Sequence, residues 1–184
     1  DIRGNTTFVP GKMRQALLFD GTTSVSVPNS AQTAMKQQFT VALWLFPTTN
    51  RSTTVVAQRD ADGSRFTIEV EKSRVQVRKS SSADLKAINL TSEAVVRRTW
   101  QHVAVRFNGS RHARPIEVFV NGDAVPMIAI AKEVEEDEKG ETEAGLTIGS
   151  KDSGRSFRGM IDKFRLYSRV LSDEEIAIVA GGDP

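Results

Sequence analysis

The chain contains no cysteine. That excludes a disulfide scaffold, thiolate metal ligation and cysteine-nucleophile chemistry. Aromatic residues make up only 7% of the chain, with a single tyrosine, and most fall at core-type positions, so an aromatic sugar platform has little to draw on. No recognised nucleic-acid module or interleaved aromatic pattern is present. No apolar run approaches 18 residues, so no helix has the length to cross a bilayer. HExxH, GxSxG and P-loop patterns are missing, as are internal repeats and Pro-, Gly- or Ser-rich linkers. The first residue is Asp1 and no apolar leader follows it. The expectation is one domain over residues 1–184, excised from a larger protein.

What is there is an ordinary globular composition: 184 residues, 39% hydrophobic and 26% charged, with a net charge of +2. That small charge hides an asymmetry. The stretch Lys132 to Glu143 holds seven acids and two lysines, so the rest of the chain is the more basic. With Gly140 and no apolar stripe, the stretch reads as an exposed mobile loop.

The main signal is period-2 alternation in short runs bounded by turn residues. Val25 and Val27 share a face, as do Phe66, Ile68 and Val70, Val75 and Val77, Val103, Val105 and Phe107, and Ile116, Val118 and Val120. Phe39, Val41, Leu43 and Leu45 alternate with Ala42, Trp44 and Phe46, so this run is apolar on both faces and predicts a central strand. Asn121-Gly122 supplies the left-handed residues of a tight hairpin. Ile161, Phe164 and Leu166 break the alternation, which predicts a bulge near Asp162. One helix is expected at the end: Ser172 and Glu175 form a capping box, Ile176 and Val179 with Leu171 face the sheet, and Gly181 and Gly182 stop it. A second short helix or turn is expected in Ser30–Gln37. Ten to thirteen strands with so little helix predict an all-β, two-sheet antiparallel jelly-roll sandwich or a barrel, the sandwich being the reading adopted. Its expected core is Leu17, Phe19, Val27, Phe39, Val41, Leu43, Trp44, Val56, Phe66, Ile68, Val75, Val103, Val105, Val118, Val120, Ile148, Ile161 and Leu166.

Five segments in order carry a resemblance: GKMRQALLFDGTTSVSVPNS, FTVALWLFPT, WQHVAVRFNGS, IEVFVNGDAV and FRGMIDKFRLYSRVLSDEEIAIVAGG. Together, from Gly11 to Gly182, they resemble laminin G-like domains of the concanavalin A-like lectin/glucanase superfamily. The resemblance implies a jelly roll and a binding module of exported or cell-surface proteins, extracellular or on the cell surface. The C-terminal cysteine pair of many eukaryotic members is missing.

Some relatives are glycoside hydrolases, which need two carboxylates about 5–5.5 Å or about 6.5–9.5 Å apart. The nearest match to their E-x-D-x-x-E pattern is Glu136, Glu138 and Glu141, with nothing apolar to anchor it to a sheet. Glu69 and Glu71 share a strand face with Arg65 and Arg74 near by, and read as cross-strand ion pairs. His102 lies opposite Val103 and Val105 and reads as a hydrogen-bonded structural residue; His112 sits in a turn. Relatives often hold a structural calcium through an aspartate of the last strand, which matches Asp162, and Asp20 in FDG is its candidate companion. The alternative is that Asp20 starts a turn and Asp162 pairs with Lys163 or Arg165. Trp44 and Trp100 read as packing residues, and Tyr167 as partly exposed. Arg65, Arg74 and Arg78, with Lys72 and Lys79, form the candidate ligand face, because guanidinium forks match carboxylate and sulfate. Asn5, Asn50, Asn89 and Asn108 begin N-x-S/T triplets that a secretory route would offer for glycosylation. The leading reading is a non-catalytic lectin-like module that binds a glycan, anionic or not, or a protein surface, with no nucleic acid and no membrane insertion. The alternatives are an adhesion spacer with no small ligand and a glycoside hydrolase.

Overall fold

The structure is a computed structural model that describes residues 1–30, 35, 37–60, 65–80, 86–109, 115–133, 145–149 and 155–181. In chain order the strands are β1 (Ile2–Arg3), β2 (Phe8–Pro10), β3 (Gln15–Asp20), β4 (Ser24–Pro28), β5 (Gln38–Pro47), β6 (Thr53–Arg59), β7 (Arg65–Glu71) and β8 (Arg74–Ser80). They continue with β9 (Lys86–Glu93), β10 (Gln101–Asn108), β11 (Ile116–Val120), β12 (Asp123–Val125), β13 (Ile128–Glu133), β14 (Gly145–Ile148) and β15 (Arg158–Tyr167), and α1 (Asp173–Gly181) follows.

All pairings between these strands are antiparallel. One sheet has the order β1-β4-β14-β6-β7-β8-β9-β13, and the other β12-β11-β10-β5-β15-β3-β2. The alternating residues of both inner faces meet in one buried cluster that includes Phe19, Phe39, Leu43, Val56, Phe66, Ile68, Val77, Val105, Val118 and Phe157. Burying each large side chain contributes roughly 1.5–3 kcal/mol. This is the two-sheet sandwich expected from the alternation. Of the expected core, Leu17, Val27 and Leu166 are only partly buried, packed on the cluster's margin.

Strand β5 lies between β10 and β15, and part of its second apolar face is also covered. Ala42, Ala104 and Phe119 on that face bury Leu171, Ile176 and Val179 of the terminal segment, with Tyr167 partly buried beside them. The capping box forms: Ser172 N–H donates to Glu175 Oε2 at 2.8 Å, and Glu175 N–H donates back to Ser172 Oγ at 3.2 Å. Asn121 and Gly122 take φ of 54° and 94° in the β11–β12 turn. The β5–β15 register shifts between Asp162 and Arg165, with Lys163 at φ 51°, so the bulge lies where the broken alternation placed it.

Among the strands that the alternating runs did not mark are β9 and β13, which pair with each other. Lys132 and Glu133, read as the start of the acidic loop, belong to β13. Residues 134–144, including Glu136, Glu138 and Glu141, lie outside the described residues, as do His112 and most of the Ser30–Gln37 segment.

Candidate functional site

The candidate arginines lie on the outer face of the eight-stranded sheet, because each alternates with a core residue of β7 or β8. On β7 the outward positions are Arg65, Thr67, Glu69 and Glu71; on β8 they are Arg74, Gln76, Arg78 and Ser80. The register sets Arg78 against Thr67, Gln76 against Glu69 and Arg74 against Glu71, while Arg59 of β6 faces Arg65. The three candidates therefore share one face but not one row: Arg65 and Arg74 stand at opposite ends of it. The expected ion pairing of Glu69 is made with Arg78, whose Nη2 lies 3.3 Å from Glu69 Oε2, and Arg155 Nη1 stands 4.0 Å from the same oxygen. Glu69 is buried although it points away from the core. Arg78 Nη2 also donates to Gln76 Oε1 at 3.3 Å. The result is a polar lattice of guanidinium, carboxylate, amide and hydroxyl groups held by rigid strands.

The two candidate calcium ligands do not converge. Asp20 is paired with Arg158 and Asp162 with Trp44, four residues further along β15. Asp20 Oδ1 accepts from the N–H and Oγ1 of both Thr22 and Thr23, at 2.7–3.2 Å. The Thr22 hydroxyl first, and then the turn amides, hold its carboxyl down at about 2. Asp20 thus starts a turn. Asp162 is buried and accepts the Met13 N–H at 2.9 Å, which pins the turn between β2 and β3. Among the described residues no three His, Asp or Glu side chains gather as a metal site would need.

The outer face of the seven-stranded sheet carries the remaining polar groups. His102 is 1% exposed, its ring 5.5 Å from that of Trp44 in an edge-on contact, and both ring nitrogens lack a hydrogen-bond partner. Burial first, and Arg165 second, push its imidazole down to about 4. It is neutral at pH 7 and buried as a structural residue would be, but without the hydrogen bonds expected of it. Lys12 Nζ lies 4.8 Å from the centre of Trp44, which is buried. Trp100 is half-buried against Phe46, at 5.5 Å between ring centres.

Sequence reasoning missed one set of side chains. Arg106 Nε and Nη1 each lie 2.6 Å from a carboxylate, of Glu117 and Asp173, and Nη1 donates to the Leu171 carbonyl at 3.0 Å. Asp173 lies 67 residues away in the chain, so no local pattern marks the pair.

Comparison with solved structures gives the fold. Domain 4 of AbnA, a GH43 extracellular arabinanase from Geobacillus stearothermophilus, in complex with arabinotriose, matches with a TM-score of 0.68 at 19% identity, over 96% of this chain and 82% of that one. The receptor binding domain of botulinum neurotoxin C/D mosaic serotype matches at 0.71 and 14%, over 100% of this chain and 46% of that one. The binding domain of botulinum neurotoxin DC, in complex with rat synaptotagmin II, matches at 0.68 and 14%, over 98% and 46%. The chain thus spans less than half of either toxin domain. The comparison with curated proteins found no match. Residues 19–177 match the model of the Laminin_G_3 family, and the chain belongs to that family of the concanavalin A-like lectin/glucanases superfamily.

Proposed function

We propose that this domain is a non-catalytic binding module that recognises a glycan, as part of an exported protein. The observation that carries the reading is the polar lattice on the outer face of β6–β8. Donors and acceptors (Arg65, Thr67, Glu69, Gln76 and Arg78) alternate there on paired strands, fixed in spacing before a ligand arrives. Such planar side chains suit sugar hydroxyls. Arg59 and Arg65 stand opposite each other across β6 and β7, and guanidinium forks match a carboxylate or sulfate in shape.

The non-catalytic part rests on Glu69. Among the described residues its carboxylate is held by Arg78 and, at 4.0 Å, by Arg155, where a hydrolase would need a facing acid. Two fold relatives, one in complex with arabinotriose and one with synaptotagmin II, support binding to a sugar or to a protein surface. A glycan array in Ca²⁺ and again in chelator tests the reading. The expected result is a set of retained glycans whose signal weakens with ionic strength. Retention of none in either condition overturns it in favour of a spacer.

A further inference from the structure

The outer face of the seven-stranded sheet is only partly covered. Helix α1 covers Ala42, Ala104 and Phe119, and the turn at residues 11–14 reaches over Trp44. One pleat further on, Leu18 of β3 is paired with Met160 of β15, Met160 with Phe46 of β5, and Phe46 packs on Trp100. All four are half-buried, and none belongs to either buried cluster. At a strand spacing of about 4.8 Å the row runs roughly 14 Å across the sheet.

Cations border this row. Arg158 is two residues from Met160 on β15. Arg98 donates its N–H to the Pro47 carbonyl beside Phe46, at 2.8 Å, and Arg97 precedes it. Lys12 stands over Trp44, two residues from Phe46. Lys12, Arg97, Arg98 and Arg158 pair with no acid among the described residues. The contrast with Arg78, which is committed to Glu69, is direct.

We propose that the Leu18–Met160–Phe46–Trp100 row is a second binding surface, for an acidic oligosaccharide of a few rings. The apolar faces of the sugar rings would lie on Phe46 and Trp100, and their carboxylates or sulfates would meet the bordering cations. Three of the four apolar residues are strand residues and not loop tips, so nothing stands proud to enter a lipid layer. A ligand laid flat along the row fits better than a bilayer. This inference rests on the glycan reading and names a different surface for it.

The chain has two tryptophans, so its ¹H–¹⁵N spectrum carries two indole signals, assigned with Trp100→Phe. The test titrates the protein with a sulfated hexasaccharide, with its desulfated form, and with vesicles of acidic phospholipid. The expected result is that the sulfated sugar shifts the Trp100 indole signal and the Trp44 signal stays still. Trp100→Ala should weaken binding about tenfold. Arg98→Glu, an exposed change that leaves the fold intact, should weaken it by a similar factor. If the sulfated sugar binds with an unmoved Trp100 signal and is lost in Arg78→Gln, the lattice on the other sheet is the site and this proposal falls while the glycan reading stands. If vesicles bind and sugars do not, or if nothing binds, this proposal falls, and the glycan array decides the wider reading.

Discussion

Arg106 Nη1 lies 2.6 Å from Asp173 Oδ1, so a guanidinium of β10 holds the first residue of α1. The same group stands 4.7 Å above the Phe119 ring and donates to the Leu171 carbonyl. Glu117 is its chief partner: its side chain first, then Asp173, hold the guanidinium in its charged form. Arg106 thus ties together β10, β11 and the entry to the helix. Arg106→Met keeps the apolar stem over Phe119 and removes the bonds. It should cost about 2 kcal/mol, read as a lower urea midpoint at unchanged slope. A change within about 0.5 kcal/mol would mean that α1 is held by Ile176 and Val179 alone.

The buried His102 makes stability depend on pH. Its folded pKa of about 4 lies below the unfolded value near 6.5, so the unfolded chain binds the extra proton first as pH falls. Stability is full above about pH 6.5 and declines as pH drops toward 4, by roughly 3 kcal/mol over that window. In urea melts at pH 7 and pH 4.5, His102→Gln should lose much less than the parent chain. Equal losses in the two proteins would place the imidazole in contact with solvent. Below pH 4, Asp20 and Glu175, both held down to about 2, add their own losses as they protonate.

Gly149 is a packing requirement. A Cβ there would collide with the Phe19 ring, and the residue sits at φ +69°. Phe19 is buried and also packs edge-on against Phe157 at 5.9 Å. Gly149→Ala should therefore destabilise by about 3 kcal/mol or more, through strain and a displaced core ring. A thermal melt checks this, and an unchanged midpoint would contradict the packing.

Asp20 discriminates between a turn and a cation site. As the acceptor of four donors from Thr22 and Thr23, it should on Asp20→Ala lower the melting temperature equally in Ca²⁺ and in chelator. A loss confined to Ca²⁺ solutions would place a cation on the carboxylate, since a site filled at 100 times its dissociation constant adds roughly 2.7 kcal/mol.

Much of the architecture was legible because period-2 alternation survives wherever one face is buried and turns bracket the run. The two-faced β5 announced its central place, Ser172 and Glu175 announced α1, and the misphased Ile161–Phe164–Leu166 announced the bulge. Strands β9 and β13 were not legible: IAIAKE runs straight into the acidic stretch, which hid the strand end. The candidate site was legible only as a face. Alternation put Arg65, Arg74 and Arg78 on one side of the sheet, but only register shows that Arg78 is committed to Glu69. Trp100 was read as a packing residue, and it does pack on Phe46. It is half-exposed because it precedes β10, at the end of the sheet that α1 does not reach. Asp20 and Asp162 do lie on paired strands, β3 and β15, but at positions four residues apart.

The most direct test of the central claim is to incubate the protein overnight with the best glycan from the array, recover the saccharide from the complex and weigh it by mass spectrometry. A retained ligand of unchanged mass is the expected result. Shortened fragments would reveal an acid pair at work, and a ligand that never co-purifies would remove sugar recognition from the account.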